Sequence, residues 1–312
     1  MSTEAAAPAL KQSVLWLALS DIKIAHSIFA LPFAVAGAVM ASDASWGGAP
    51  WSNLAGPLLL VVVCMVLART WAMLINRWAD WRFDRENPRT SGRAIASGRL
   101  SPRAGLAVAL ACAAGFVGVC GLFRVLFANP WPLILSVPVL AWIAFYSFTK
   151  RFTWLCHVFL GGALAASPLA AAVAVEPGYL LSVPGRALWW LALMVMLWVA
   201  GFDVAYALQD LEFDRKTGLK SVPARLGVRG ALWASRLLHA LALFTLVAFS
   251  AMDPRLGVIT QAAIVMVGGV LGFEHWVLHL RGVAGLPLAF FTLNGVVSVV
   301  LGSALVVDVA LG

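Results

Sequence analysis

Residues 54–84 read LAGPLLLVVVCMVLARTWAMLINRWADWRFD. The stretch from Leu54 to Ala68 carries no charge, whereas the far end sets Asn76, Asp80 and Asp84 at four-residue spacing. Wound as one α-helix at 1.5 Å per residue, the segment is ~46 Å long, against a hydrocarbon core of roughly 30 Å. The apolar part is therefore predicted to cross a bilayer and the acidic end to emerge at one surface. At about 100° per residue, positions i, i+4 and i+8 fan over roughly 80° of one helix face.

The rest of the 312-residue chain repeats the apolar theme: 62% of it is hydrophobic and 12% charged. A soluble domain of this size carries roughly 25% charged residues. Runs of bilayer-crossing length recur, and nine spans are predicted, at 14–41, 54–83, 104–128, 131–149, 152–175, 186–210, 229–250, 256–280 and 287–310. No polar stretch suffices for a separate soluble domain. Residues 1–312 are thus expected to form a single polytopic domain, all-α and integral to the membrane, with 1–13 as a flexible cytoplasmic tail. That tail has no Arg and includes Glu4, which suits neither a transit nor a signal peptide, so the first span is expected to stay as an anchor. With nine spans, all 22 Lys and Arg except Arg124, Arg186 and Arg255 fall on one side, Lys11 and Lys23 among them. The positive-inside bias makes that side cytoplasmic. Trp46, Trp51, Trp131, Trp189 and Trp190 fall near the outer span ends, where amphipathic rings settle. No nucleic-acid partner is expected of such a chain; the lipid bilayer is. Cys64, Cys112, Cys120 and Cys156 lie inside spans without a C-x-x-C pair and read as small core residues.

Half of the 14 acidic residues lie in two short segments. Asp80, Asp84 and Glu86 end the second span; Asp203, Asp210, Glu212 and Asp214 end the sixth. Carboxylates at membrane depth are costly unless paired, which makes them functional candidates. On a continuous helix Asp203, Asp210 and Asp214 fall within roughly 40° of one another, with Glu212 opposite. Both segments end on the same predicted face. Two carboxylate faces repel without cations, and Mg²⁺ is the natural partner because it takes oxygen ligands and shares them with substrate phosphates. Each segment is followed by a basic loop, 85–103 and 215–229, suited to gripping phosphate. Acid, metal and base at one face suggest a diphosphate ester with a lipid tail. A solvated helix end is the plainer reading for Arg85, Glu86, Arg99 and Glu212.

Both segments resemble the Asp-rich motifs of the UbiA superfamily of aromatic prenyltransferases. Asn76, Asp80, Asp84, Arg89, Thr90 and Arg93, then Ser97-Gly98, match the first motif; its usual second Asp is Arg77 here, which removes one potential metal ligand. Phe202, Asp203, Tyr206, Asp210, Asp214, Lys216, Gly218, Lys220 and Ser221 match the second. Tyr146-Ser-Phe-Thr-Lys150-Arg151 looks like a third signature, Y-x-x-x-K-R. The resemblance spans the chain and implies a bundle of nine transmembrane helices around a central cavity with the two motifs facing each other. Ala25 to Phe33, Asn76-Arg77 and Phe213 to Lys216 are similar to a branch of 4-hydroxybenzoate polyprenyltransferases, enzymes of respiratory quinone biosynthesis. That branch includes futalosine-route menaquinone enzymes that act on 1,4-dihydroxy-6-naphthoate.

The resemblance implies that Asn76, Asp80, Asp84, Asp210 and Asp214 hold Mg²⁺ on a polyprenyl diphosphate, gripped by Arg89, Arg93, Lys216 and Lys220. A small aromatic acid then attacks the allylic cation. Lys150 and Arg151 bind either the diphosphate or the acceptor carboxylate, or merely anchor the cytoplasmic face. Asp203 orients the acceptor hydroxyl or removes a proton. Tyr146 and Tyr206 stabilise the cation through their π faces, or pack inside the bundle. The expected setting is a bacterial inner membrane with the site on the cytoplasmic side. A cation-coupled secondary transporter is the rival reading, but transport sites tend toward the bilayer midplane. His275 and His279 are read as packing residues, His26, His157 and His239 as isolated, and Pro32, Pro138 and Pro168 as kinks within spans.

Overall fold

A computed structural model describes residues 13–20, 29–46 and 51–311. Met1–Gln12, Lys23 and Ala25–Ile28, including His26, lie outside the described residues. The described chain is helical, with no strand among its residues. The helices are α1 Val14–Ser20, α2 Leu31–Trp46, α3 Trp51–Glu86, α4 Pro102–Phe127, α5 Trp131–Thr149, α6 Cys156–Val175, α7 Ala187–Tyr206, α8 Leu211–Thr217, α9 Val222–Met252, α10 Val258–Arg281 and α11 Asn294–Leu311. Among the described residues, eight helices are long and apolar enough to cross a membrane, and α2 is a shorter apolar one. This is the expected all-helical membrane bundle.

Helices adjacent in sequence pack side by side from α2 to α7, then α9, α10 and α11, and α11 returns to α2 to close the ring. One apolar cluster joins α2, α6, α7, α9, α10 and α11; a second joins α1, α3, α4 and α5. Helix α7 is apolar all round and most deeply buried, with Leu188, Leu191, Met194, Val195, Trp198 and Val199 fully covered.

Two expectations are corrected. The span 14–41 is divided into α1 and α2: residues 29 and 30 are not α-helical, and α2 starts at Leu31 with Pro32 in its first turn. Proline fits there because the first turn has no intrahelical use for its missing N–H, so Pro32 starts a helix and does not kink one. The sixth span is also interrupted. Helix α7 ends at Tyr206, Ala207–Asp210 forms a 3₁₀ turn, and α8 carries the chain on to Thr217. The single-helix arc predicted for Asp203, Asp210 and Asp214 therefore does not apply. Irregular backbone at this depth is tolerable because it lines a polar cavity.

Without a hydrophobic force between helices in lipid, small residues set the crossings. A Cβ on Gly161 of α6 would stand 2.2 Å from the Met196 carbonyl oxygen of α7, whereas one on Gly118 of α4 would meet nothing within 4 Å. Gly161→Ala is expected to destabilise the protein by about 1–3 kcal/mol, as overpacking does, and Gly118→Ala to be neutral or slightly stabilising. Thermal unfolding in detergent measures both, and equal Tm shifts would remove the close α6–α7 contact as a source of stability.

Candidate active site

Helix α3 delivers the first motif. Its 36 residues keep Asn76, Asp80 and Asp84 on one helix face, and it ends at Glu86, just ahead of Pro88. The 3₁₀ turn and α8 deliver the second motif. Asn76, Asp80, Asp84, Asp203, Asp210 and Asp214 all line one cavity of about 570 Å³, together with Tyr146, Tyr206, Arg89, Arg93 and Lys150. The structure thus brings together residues more than a hundred positions apart. Arg151 sits beside this cavity, while Lys216 and Lys220 are exposed outside it. Lys220 Nζ instead donates to the Phe152 carbonyl at 3.1 Å.

Asp80, Asp84, Asp210 and Asp214 each meet a lysine or an arginine. Arg93 Nη1 donates to both Asp84 oxygens, at 2.7 and 2.8 Å. Arg151 Nη2 donates to the Ala79 carbonyl at 2.6 Å and to Asp80 Oδ1 at 3.2 Å. Arg89, on the loop after α3, clasps Asp210 through Nε at 2.9 Å and Nη2 at 2.5 Å, and Asn87 Nδ2 adds a bond of 2.9 Å. This fork ties the first motif's loop onto the second motif. Lys150 Nζ lies 2.8 Å from Asp214 Oδ1, and Ser221 Oγ donates to Asp214 Oδ2 at 2.8 Å. Burial works against the charges of Lys150 and Arg89, but the adjacent Asp214 and Asp210 outweigh it and hold both pKa values above the ordinary range.

Among the described residues, no group of three or more His, Cys, Asp or Glu is gathered to hold a metal ion; Asp80, Asp84, Asp210 and Asp214 each turn toward a lysine or an arginine. The donor chemistry still fits Mg²⁺. The facing motifs offer oxygen ligands, the set this ion prefers. Asp214, with 0% of its side chain exposed, has Oδ1 near Lys150 but without an aligned hydrogen bond, which leaves a lone pair to offer.

A second, apolar cavity of about 210 Å³ runs between α3, α4, α5 and α6, lined by residues such as Val61, Phe116, Leu135 and Ala163. Arg69, Met73, Tyr146, Leu160 and Leu164 line both cavities, so the polar chamber adjoins an apolar groove there. Tyr206 packs against Phe290 with ring centroids 4.1 Å apart, and the Arg89 guanidinium lies 5.7 Å from the Tyr206 ring.

Several cavity residues escaped the sequence reading. Arg69 and Arg77 line the chamber, with Arg69 Nε buried and lacking a hydrogen bond. A lone charge inside an apolar run was the available signal for Arg69. Asn87 and His157 gave no such signal, since their partners, Asp210 and Asp203, are remote in sequence. His239 is also not isolated: its ring is joined to that of His275 by a 3.0 Å hydrogen bond away from the chamber.

Comparisons with known proteins agree with this geometry. The model of the UbiA prenyltransferase family matches residues 30–304. A 4-hydroxybenzoate octaprenyltransferase of Alcanivorax borkumensis is 36% identical over 78% of this chain and 74% of its own. One from Ectopseudomonas mendocina is 34% identical over 74% of each chain. The apo structure of a UbiA homologue from Aeropyrum pernix superposes with a TM-score of 0.78 at 33% identity, covering 92% of this chain and 99% of that one. A UbiA homologue from Archaeoglobus fulgidus, bound to DMAPP and Mg²⁺, has the same fold with a TM-score of 0.68 at 16% identity, over 95% of this chain and 99% of its own. The facing carboxylate motifs, the cations between them and the family match over most of the chain lead to one conclusion: this chain belongs to the UbiA prenyltransferase family and is a prenyltransferase.

Proposed function

We propose that the protein transfers a polyprenyl chain from its diphosphate to a phenolic aromatic acid of the 4-hydroxybenzoate kind, at the cytoplasmic face of a bacterial inner membrane, in quinone biosynthesis. The observation that carries this reading is the junction at Arg69, Met73 and Tyr146, where a chamber of paired acids and bases adjoins an apolar groove. A molecule that suits both has a highly charged head and a long hydrocarbon tail.

Arg89, Arg93 and Lys150 point into the chamber from loops and bind the diphosphate oxygens. Arg151, beside the chamber, holds Asp80 and the α3 backbone in place. Asn76, Asp80, Asp84, Asp210 and Asp214 would hold Mg²⁺, which would supply charge neutralisation for the leaving diphosphate. The groove between α3 and α6 keeps the prenyl chain out of water. As the allylic C–O bond breaks, its electron pair leaves with the diphosphate, and the faces of Tyr146 and Tyr206 stabilise the cation. Arg69 and Arg77 attract the acceptor's carboxylate, and Asp203 accepts a hydrogen bond from its hydroxyl. The ring carbon ortho to that hydroxyl forms the new C–C bond and gives up its proton to the Asp203 carboxylate.

Purified protein with Mg²⁺, one polyprenyl diphosphate and a panel of 4-hydroxybenzoate, 1,4-dihydroxy-6-naphthoate and non-phenolic benzoate tests this. Prenylated product is expected from a phenolic acid and none from benzoate. No product from any phenolic acid would overturn the acceptor class, and product from the naphthoate alone would move the assignment to the futalosine route.

A further inference from the structure

Four of the five aspartates lining the chamber meet Lys or Arg; Asp203 meets a histidine. The geometry points to His157 as the residue that positions Asp203 toward the acceptor's hydroxyl. The inference rests on the phenolic acceptor proposed above.

His157 Nδ1 lies 2.7 Å from Asp203 Oδ2, and the backbone N–H of Val222 donates to His157 Nε2 at 3.3 Å. A backbone N–H only donates, so Nε2 carries the lone pair and the proton resides on Nδ1, where it is donated to Asp203. The first residue of α9 thus sets the tautomer of a histidine on α6, which fixes a carboxylate on α7. The His157 side chain is 3% exposed and cannot swing away, whereas Asp203, 23% exposed, opens on the chamber. His157 engages Oδ2 and leaves Oδ1 for a ligand. Asp203 also lies seven positions before Asp210, apart from the metal motif and its arginines.

This arrangement differs in kind from the other four pairs. A guanidinium or ammonium neutralises its carboxylate, and Arg89 and Arg93 also occupy both oxygens of theirs. A neutral imidazole N–H occupies one oxygen and leaves the negative charge on the carboxylate, which keeps it a strong acceptor for a phenolic O–H. Holding that hydroxyl raises the electron density of the ring at the position that forms the new bond. His157 is therefore a positioning residue acting through Asp203, and its loss should fall on turnover and not on diphosphate binding.

The test uses the full-length protein in detergent or nanodiscs with Mg²⁺, polyprenyl diphosphate and the phenolic acid the wild type uses best. His157→Leu should lower kcat by roughly 10- to 100-fold, the usual effect of removing an orienting hydrogen-bond partner, with KM for the diphosphate within about twofold. His157→Gln can donate to Asp203 and accept from Val222, and should recover most of the lost kcat. Asp203→Asn should be slow, and adding His157→Leu to it should cost nothing further, since residues acting in one chain are not additive. Wild-type kcat in His157→Leu, no recovery in His157→Gln, or an additive loss in the double variant would each overturn the positioning role. Should the wild type itself make no prenylated phenol, the acceptor reading falls, and this inference falls with it.

Discussion

Asp210→Asn should lower kcat by roughly 10²–10³-fold or more while the protein stays folded and membrane-inserted, the scale seen when one preorganised electrostatic partner of a developing charge is removed. Asp210 is where the two motifs meet: Arg89 reaches it with two nitrogens and Asn87 with a third, all from the loop that follows α3. The amide keeps the shape and one carbonyl acceptor for Arg89 but removes the charge, so the loop still docks. Its unfolding temperature should drop only modestly, because Asp210 is 10% exposed and Arg89 31%, a partly solvated pair. Glu212 is two residues away and exposed; Glu212→Gln should leave turnover unchanged. Prenyl transfer in membranes, measured beside thermal unfolding, separates the cases. Wild-type turnover in Asp210→Asn would take that carboxylate out of the mechanism, and equal losses in both variants would mean that the segment responds to charge in general.

The membrane bundle and the first acidic face were legible in the sequence because each depends on local order. Apolar runs of bilayer length do not need a partner to be recognised, and the spacing of Asn76, Asp80 and Asp84 fixes their common face once the run is a helix. What stayed hidden depends on contacts. Nothing in Ala207-Leu-Gln-Asp210 marks a change from α to 3₁₀ winding; the cavity beside it permits that change. The cut between α1 and α2 did carry a signal in Leu31-Pro32, outweighed by the apolar run around it. Lys216 and Lys220 looked equivalent to Arg89 as basic residues following an acidic motif, but Lys216 is exposed on α8, and Lys220, on the loop after it, is taken up by the Phe152 carbonyl. Arg69 was counted among the charges of one membrane face, although its place inside the second span set it apart. His157 needed both Asp203 and Val222 in view before it could be read as more than a lone histidine.

Chelation with excess EDTA should take product formation below detection, and added Mg²⁺ should restore it, with little change in Tm at either step. The chamber holds five aspartates, and Arg89, Arg93 and Lys150, the cations placed to receive a diphosphate, are already spent on Asp210, Asp84 and Asp214. An arriving diphosphate must either leave those pairs intact and gain none of these three cations, or draw the cations away and expose the carboxylates to it. Two like unit charges about 4 Å apart repel by roughly 4 kcal/mol at the effective dielectric of a protein surface, and several such pairs would arise at once. A divalent cation on the carboxylate oxygens removes this conflict and frees the arginines and lysine for the substrate. The same pairs explain why stability should be indifferent to the metal: without it, Asp80, Asp84, Asp210 and Asp214 each still have a cationic partner, so none of these charges is stranded. A large fall in Tm on chelation would make the metal a structural element, and full turnover in EDTA would leave the oxygen-rich motifs without the ion their chemistry suits.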